Sequence, residues 1–342
     1  MAAPSDQPGP CIAVSMGDPG GIGPEVLAAA LRGGAAEGAR VVIYGPARAM
    51  GDQRWPVVHA LDDVPVDAAV AVCQLDDADI ADDGAPFERA ATARGGAISH
   101  RQVLHAIDAT KLPAGHPARA DASCTAPISK AAWVAAGLAE HPGHTELLAQ
   151  RLGAPRYAMA FVSQPLLVAL ATAHVPLRRV PEVLTTARVA EVIELAGKLC
   201  KDLGIDKPRI VVAGLNPHAG EGGALGDEDD AIIAPAVAEA QDRGFEVTGP
   251  LPGDTVFRDA RRPGGEFDIV VAMYHDQALA PLKLVAFDHA VNITLGLGVP
   301  RTSPDHGTAF GIAGRGVADA GSMAAALQLA ARLASNRSAS TS

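Results

Sequence analysis

The sequence predicts an α/β protein built on a largely parallel sheet. Two observations carry this prediction. Short apolar runs alternate along the chain with longer segments of helical spacing, and 36 glycines and 26 prolines supply many tight connections. Such alternation is typical of parallel strands, because each parallel connection must cross back over the sheet. The apolar runs Ala158–Ser163 and Leu166–Ala171 are separated only by Gln164-Pro165, which favours a hairpin and makes the sheet mixed.

Each predicted strand is a short run of mostly apolar residues that is followed by polar residues or glycine. In chain order they are Cys11–Ser15, Val41–Tyr44, Ala69–Cys73, Asp121–Cys124, Ala158–Ser163, Leu166–Ala171, Arg209–Ala213, Asp268–Ala272 and Val291–Leu295.

The predicted helices share apolar residues three or four positions apart. They are Val26–Leu31 behind Pro24, Ile98–Thr110, Ser129–Ala136, one opening at Leu147, Thr186–Leu203, Asp229–Arg243 and Gly321–Leu333. The polar, acidic stretch from Cys73 to Gly95 predicts a surface loop, and the serine-rich end Ser335–Ser342 predicts a disordered tail.

Length and charge restrict the class of protein. With 342 residues the chain is long enough for two domains or one two-lobed α/β unit. A net charge of −11 argues against nucleic acid as a partner. The four cysteines form no C-x-x-C pair, which indicates buried, reduced thiols of a cytoplasmic protein. Without a signal peptide pattern or an apolar run of spanning length, we expect a soluble protein with no membrane association.

Three histidines follow predicted strands: His174, His218 and His275. Ligands of open α/β sheets bind beyond the carboxyl ends of strands, so the three could meet there. Three imidazoles with one open position suit Zn or Co, and substrate oxygens in the shell would admit Mg or Mn. Asp276 and Glu221 could orient the rings. A histidine at a strand end is also often merely exposed, so this alternative stays open.

Polar residues concentrate in the span Met273–Phe310, which we interpret as a site assembled from loops between buried elements. Lys283, Asn292 and Arg301 form a cationic and polar set, with His144 and Thr145 upstream. An arginine fork with a lysine charge is how proteins hold phosphate or carboxylate. The alternative is that these cations are ordinary surface charges.

The glycine-rich loop Gly17–Gly23 follows a predicted strand but lacks the G-x-G-x-x-G spacing. We therefore do not interpret it as a Rossmann dinucleotide fingerprint. The P-loop and nucleophile-elbow motifs are also missing, which argues against P-loop NTPases and α/β-hydrolases.

Together the segments resemble the 4-hydroxythreonine-4-phosphate dehydrogenase family. The matching strings are M-G-D-P-G-G-I-G-P-E, P-G-H-T-E, A-H-V-P-L, L-N-P-H-A-G-E-G-G, G-P-L-P-G-D-T-V-F, Y-H-D-Q, V-N-I-T-L-G-L and R-T-S-P-D-H-G-T-A-F. The resemblance implies a two-lobed α/β/α fold similar to isocitrate and isopropylmalate dehydrogenases. It also implies an active site in the cleft between lobes, shared across a homodimer.

The resemblance further assigns residues to roles. His174, His218 and His275 match the divalent-metal ligands. His144, Thr145, Lys283, Asn292 and Arg301 match the substrate-binding set. The stretch Asp305, His306, Gly307, Thr308 and Ala309 matches the region that holds NAD or NADP. Asp254 is our candidate for the proton acceptor, with metal-bound water as the alternative.

The implied reaction is oxidation of the hydroxyl of 4-phosphooxy-L-threonine, followed by decarboxylation to 3-amino-2-oxopropyl phosphate. The implied lobes are roughly 1–140 with 290–342 for the dinucleotide, and 141–289 for metal and dimerisation. T-A-P-I-S-K and G-L-G-V-P-R-T-S look closer to a divergent branch of the family. Likeness to that branch leaves two alternative substrates, a four-carbon aldonate phosphate and a terephthalate cis-dihydrodiol. A non-catalytic metabolite-binding protein is the alternative of another class.

Overall fold

The structure is a computed structural model that describes residues 9–51, 54–75, 84–140, 143–261 and 263–341, with side chains to 338. The described residues form two compact units. The first unit comprises those within 1–153 and 298–342, and the second comprises those within 154–297. The lobe division predicted from the sequence, with its metal and dinucleotide roles, stays a prediction.

The described residues contain strands that are mostly short and apolar. They are β1 (Cys11–Ser15), β2 (Arg40–Tyr44), β3 (Val57–Val58), β4 (Val70–Cys73), β5 (Ala122–Thr125), β6 (Ala158–Val162), β7 (Leu167–Leu170), β8 (Ile210–Ala213), β9 (Val247–Leu251), β10 (Ile269–Ala272), β11 (Val291–Leu295) and β12 (Arg301–Pro304). Every strand predicted from the sequence is confirmed to within one residue at either end.

The helices alternate with these strands. They are α1 (Gly23–Arg32), α2 (Ala93–Asp108), α3 (Lys130–Ala135), α4 (His144–Leu152), α5 (Val180–Val183), α6 (Thr186–Asp202), α7 (Ala234–Asp242), α8 (Val256–Asp259), α9 (His275–Ala286) and α10 (Gly321–Thr341). A π-helical turn, Asp229–Ile233, precedes α7 and forms the start of the helix predicted there.

In the first unit the strands are ordered β3-β4-β2-β1-β5-β12, and each adjacent pair is parallel. Cys11 and Ala13 of β1 pack with Ala106 of α2. Ile12 and Val14 are equally buried and point to the other face, because side chains alternate along a strand. Helix α10 packs against β1, β5 and β12, so both faces of this parallel sheet are covered.

In the second unit the order is β11-β6-β7-β10-β8-β9. The pairs β11–β6 and β6–β7 are antiparallel, whereas β7, β10, β8 and β9 run parallel. The predicted hairpin and the mixed sheet are therefore confirmed. Leu279 and Leu282 of α9 pack with Val168 and Val270, while α6 also contacts β10 and β7, together with β8, β11 and β6.

Two expectations about local structure are wrong. The span Met273–Phe310 is not mainly loop, because α9 carries His275 and Lys283 and strands carry Asn292 and Arg301. Pro281 lies inside α9, where proline has no N–H to donate to the carbonyl four residues earlier and disfavours a regular helix, which explains why the sequence pattern did not indicate one.

The predicted disordered tail is also wrong, because α10 continues through the serines to Thr341. The hydroxyl of Ser338 donates to the carbonyl of Ala334, as serine can do inside a helix. In the predicted surface loop from Cys73 to Gly95, residues 76–83 lie outside the described residues, and α2 begins at Ala93.

The four cysteines are buried thiols outside any disulfide, as predicted. Among the residues that the structure describes, none of the helices combines the length and apolar content that a bilayer crossing requires.

The turn from β1 into α1 generates a stability prediction. Gly17 has φ 80°, and a Cβ atom there would lie 2.3 Å from the carbonyl oxygen of Pro127. Gly38 has φ 79°, but a Cβ there would meet no described atom within 4 Å. Gly38→Ala should lower the free energy of unfolding by about 1–2 kcal/mol, the cost of a left-handed alanine. Gly17→Ala should lower it by more than about 3 kcal/mol, because backbone must also move.

Thermal and urea denaturation of the two variants measures the difference. Because the two glycines have the same φ, equal losses of stability would show that the contact with Pro127 contributes nothing.

Candidate functional site

The three predicted metal ligands follow three strands of the second unit that are neighbours in the sheet, β7, β10 and β8. These strands are parallel, so their carboxyl ends lie at one edge. The rings of His174 and His275 lie 5.7 Å apart between centroids. At that separation their nitrogens can approach within the roughly 4 Å that two Zn–N bonds of ~2.0–2.1 Å span.

Two of these histidines have a strained backbone. His174 has φ 56° and His218 has φ 52°, and Ala219 and Glu221 beside His218 are also in the left-handed region. This conformation costs a residue with a side chain about 1–2 kcal/mol. Such strain persists only where the surroundings enforce it, and it is concentrated at functional sites.

Carboxylates lie beside two of the imidazoles, at the positions predicted from the sequence. Nδ1 of His275 lies 2.7 Å from Oδ1 of Asp276. Nδ1 of His218 lies 3.5 Å from Oε2 of Glu221. A carboxylate at Nδ1 holds the proton there and leaves Nε2 as the ligating nitrogen.

His218 does not form a group with the other two rings, and its side chain is 63% exposed. Within the described ranges no three His, Cys, Asp or Glu side chains form a ready metal-binding group. The donor chemistry and the pair His174–His275 fit a divalent ion, and the third ligand requires the exposed His218 ring to turn towards that pair.

A hydrogen-bonded path joins the loops that carry these histidines, and the sequence analysis missed it. Gln277 accepts from the backbone N–H of Met273 at 2.7 Å and donates to the carbonyl of Gly214 at 2.6 Å. The hydroxyl of Thr172 donates to the carbonyl of Met273 at 2.7 Å. Gln277 is the third residue of α9, where glutamine commonly reaches back to the chain before the helix; that position is the signal that could have found it.

Asp229 is a second residue that the sequence analysis missed. It is fully buried. Its carboxylate accepts from the backbone N–H groups of Leu215 and Asn216 and from the side-chain amide of Asn216, at 2.8, 3.0 and 3.0 Å. These bonds fix the chain directly before His218.

Asp254, the candidate proton acceptor, is exposed in the loop after β9. The preceding residue, Gly253, lies beside Gln277, because a Cβ on Gly253 would be 3.0 Å from Nε2 of Gln277. This loop is therefore adjacent to the path that joins the histidine loops.

Lys283 and Asn292 lie in the same unit. Lys283 is two turns along α9 from His275, about 12 Å along the helix axis, and its Nζ lies 5.4 Å from the Phe287 ring centroid. Asn292 is in β11, and its Oδ1 is buried without a hydrogen-bond partner among the described residues. A buried acceptor of this kind calls for a donor from a ligand or water.

Arg301, His144 and Thr145 belong to the first unit. Arg301 in β12 is 2% exposed, and its guanidinium donates to the hydroxyl of Thr125. Burial lowers the pKa of Arg301 to about 10, so the group stays charged at neutral pH. It is therefore a buried cation and not the surface charge of the alternative interpretation.

His144 and Thr145 are the first two residues of α4. The His144 ring packs edge-on against Trp133, with centroids 5.8 Å apart. Nε2 of His144 is buried and has no partner among the described residues. Burial, together with the nearby charges of Arg301 and Lys130, holds the pKa of His144 well below its usual range.

The predicted dinucleotide segment follows β12 and contacts the glycine-rich loop. The N–H of Ile22 donates to the carbonyl of Thr308 at 2.9 Å. The N–H of Gly20 donates to Oδ1 of Asp18 at 2.9 Å. These amides are occupied by the chain itself, so they are not directed at a pyrophosphate as in a Rossmann loop.

Asp305–Ala309 contains irregular backbone suited to a loop-built site. Ala309 has φ 42°. Nε2 of His306 is buried without a partner among the described residues, and Gly307 is exposed. The N–H of Asp305 donates to the hydroxyl of Ser322 at 3.2 Å, which ties the segment to α10.

The family model "Pyridoxal phosphate biosynthetic protein PdxA" matches residues 39–330 of the chain. The chain belongs to the PdxA family. It is 41% identical over 337 residues to the 4-hydroxythreonine-4-phosphate dehydrogenase of Beijerinckia indica, with 94% of each chain covered. It is 42% identical over 330 residues to the D-threonate 4-phosphate dehydrogenase of Salmonella typhimurium, covering 94% of this chain and 98% of the relative.

Solved structures agree with this assignment. The 4-hydroxythreonine-4-phosphate dehydrogenase of Klebsiella pneumoniae is 40% identical, with a TM-score of 0.83 and coverage of 96% and 99% of the two chains. The terephthalate 1,2-cis-dihydrodiol dehydrogenase of Burkholderia xenovorans is 27% identical, with a TM-score of 0.67 and coverage of 94% and 98%.

A β-decarboxylating dehydrogenase of Thermococcus kodakarensis shares the fold at 16% identity, with a TM-score of 0.50 and coverage of 94% and 81%. The predicted likeness to isocitrate-type dehydrogenases is thereby confirmed for the fold. This PdxA-family protein is an oxidoreductase, a dehydrogenase of the oxidative decarboxylating type. The alternative of a non-catalytic binding protein is not retained.

The depressed pKa of His144 predicts how stability depends on pH. In the unfolded chain a histidine titrates near ~6.5, and in the fold His144 titrates lower. The unfolded state therefore binds the proton first, and stability falls as pH drops below ~6.5. The contribution of one proton reaches about 1.4 kcal/mol per pH unit.

His144→Gln should remove this contribution, so the unfolding free energy of the variant should decline less than that of the unmodified protein between about pH 6.5 and 5. Urea denaturation across this range measures both slopes. Parallel slopes would show that His144 takes up its proton equally well in the folded protein.

Proposed function

We propose that this PdxA-family dehydrogenase oxidises the hydroxyl of 4-phosphooxy-L-threonine with NAD(P) and decarboxylates the product to 3-amino-2-oxopropyl phosphate. We also propose that it uses a divalent metal ion, Zn foremost, with Mg, Co or Mn as alternatives. The observation that carries the metal role is the approach of His174 and His275 to 5.7 Å at the carboxyl ends of adjacent parallel strands.

The proposed ligands are His174, His218 and His275. A divalent ion held by them would supply Lewis-acid polarisation of the substrate's reacting oxygens. The carboxylates of Asp276 and Glu221 would keep the Nδ1 protons of His275 and His218 and so leave Nε2 free to ligate.

The proposed substrate residues hold the anionic ends of the substrate and orient its reacting carbon. Arg301, a buried cation, and Lys283 would bind phosphate or carboxylate. The buried Oδ1 of Asn292 would accept a hydrogen bond from an ammonium or hydroxyl group of the substrate. Thr145 and the neutral His144 would add hydrogen bonds without adding charge.

In the proposed reaction the hydroxyl loses its proton and the adjacent C–H transfers a hydride to the nicotinamide, which is reduced. Asp254 is the proposed proton acceptor. The resulting β-keto acid loses CO2, and the electron pair left behind takes up a proton at carbon. Asp305, His306, Gly307, Thr308 and Ala309 are the proposed dinucleotide contacts. A homodimer is the proposed assembly.

D-threonate 4-phosphate is a second candidate substrate, because the chain is as similar to a relative of that name as to 4-hydroxythreonine-4-phosphate dehydrogenases. It is a four-carbon aldonate phosphate with a hydroxyl where the first candidate has an amine. The terephthalate cis-dihydrodiol has weaker support, since that relative is only 27% identical.

A substrate panel tests the proposal. Purified protein is mixed with 4-phosphooxy-L-threonine, D-threonate 4-phosphate or the terephthalate dihydrodiol, each with NAD or NADP, and reduced nicotinamide and released CO2 are both measured. We expect kcat/KM for the phosphorylated four-carbon acids to exceed that for the dihydrodiol by more than about 100-fold, because the relatives named for those acids are 41% and 42% identical and the dihydrodiol dehydrogenase only 27%. Preference for the dihydrodiol would reject the proposed substrate class.

Removal of one proposed ligand tests the metal. His218→Ala should lower turnover by more than about 100-fold and weaken binding of Co2+ or Zn2+ by at least about 10-fold, because one of three nitrogen donors is lost. His289→Ala, an exposed histidine of the same unit, is the matched control and should change neither quantity. A fully active His218→Ala protein without bound metal would remove His218 from the site.

A further inference from the structure

We infer that Gln277 is a positioning residue that holds the loops of His174, His218 and His275 in one geometry. The inference rests on the proposed metal role of these histidines and goes further, because it assigns their arrangement to a residue that contacts none of the reacting atoms.

Gln277 uses both ends of its amide. Its Oε1 accepts from the N–H of Met273, two residues before His275, at 2.7 Å. Its Nε2 donates to the carbonyl of Gly214, four residues before His218, at 2.6 Å. A single side chain therefore connects the ends of β10 and β8, which are neighbours in the sheet.

The loop of His174 joins the same path at Met273. The carbonyl of Met273 accepts from both the hydroxyl and the backbone N–H of Thr172, at 2.7 and 3.2 Å. Thr172 is 7% exposed and lies two residues before His174. The backbone of Met273 thus receives two bonds from Thr172, on the His174 side, and gives one to Gln277.

Asp229 anchors the same start of the His218 loop. Because Leu215 and Asn216 donate to that buried carboxylate and Gly214 accepts from Gln277, three successive residues before His218 are bonded. His218 and Ala219 then adopt positive φ, 52° and 53°. Rigid bonding of the preceding residues is what can sustain this strained conformation.

The chemistry of the path requires glutamine at position 277. The amide must present an acceptor to an N–H and a donor to a carbonyl. Glutamate has nearly the same shape but would place an oxygen against the Gly214 carbonyl and lose that bond. Gly253 packs against the same amide, since its Cβ would lie 3.0 Å from Nε2, so the side chain has little room to turn away.

Metal binding by the 342-residue protein, first stripped of metal with a chelator, tests the inference. Co2+ titration followed by its visible absorption gives the dissociation constant. Gln277→Glu should raise it about 10–100-fold, the usual effect of removing a residue that orients metal ligands. Gln241→Glu is the matched control, because Gln241 also donates its amide to a backbone carbonyl, at 2.9 Å, but on α7; it should leave Co2+ affinity unchanged.

Thermal denaturation separates positioning from simple loss of fold. The metal-free Gln277→Glu protein should unfold within a few degrees of the metal-free unmodified protein, while its stabilisation by added Co2+ should shrink. Thr172→Val, which removes only the hydroxyl bond to Met273, should also weaken Co2+ binding. It is the test variant to use if Gln277→Glu does not fold.

The outcomes are distinct. An unmodified protein that binds no Co2+ would overturn the proposed metal site and this inference with it. An unmodified protein that binds Co2+, together with Gln277→Glu and Thr172→Val variants that bind it equally well, would overturn the inference alone.

Discussion

The parallel run of β7, β10 and β8 is the constraint on which the proposed chemistry depends. Because these neighbouring strands point the same way, the chain leaves all three at one edge, and each exit carries a histidine within a few residues. The sheet alone therefore brings the three histidine loops to the same edge. It does not supply orientation, since His174 and His275 are close while His218 remains largely exposed.

Orientation has to come from the loops, and the loops are strained. Positive φ at His174 and His218 costs about 1–2 kcal/mol each. Hydrogen bonds from buried groups offset such costs, at about 0.5–1.5 kcal/mol each. Asp229 alone accepts three bonds before His218, and Thr172 and Gln277 meet at Met273. Packing in the sheet therefore determines where the three histidine loops begin, and hydrogen bonds within the loops stabilise their strained conformation.

Sequence patterns predicted the structural features that depend on neighbouring residues. They failed for features that depend on residues far away in the chain. Buried strands were found because apolar runs are local, but β12 was missed because Arg-Thr-Ser-Pro has no apolar pattern. Helix α9 was read as loop, since Pro281 and the polar residues hide its packing face. The histidines were singled out from their place after strands, and their role as metal ligands stays a proposal. Gln277 was not singled out, because its place in the first turn of α9 indicates only the local bond to Met273, whereas its bond to Gly214 spans 63 positions.

In the proposed site, the choice of substrate depends on groups other than the two cations. Arg301 and Lys283 would bind the anionic end of either phosphorylated acid, so they cannot separate an amine from a hydroxyl at the neighbouring carbon. The buried acceptor Oδ1 of Asn292 would discriminate strongly only against a substrate with no donor there, by up to about 10⁴-fold. Both an ammonium and a hydroxyl satisfy it. Preference between them must come from charge near that carbon, where an ammonium favours nearby carboxylates and a hydroxyl does not.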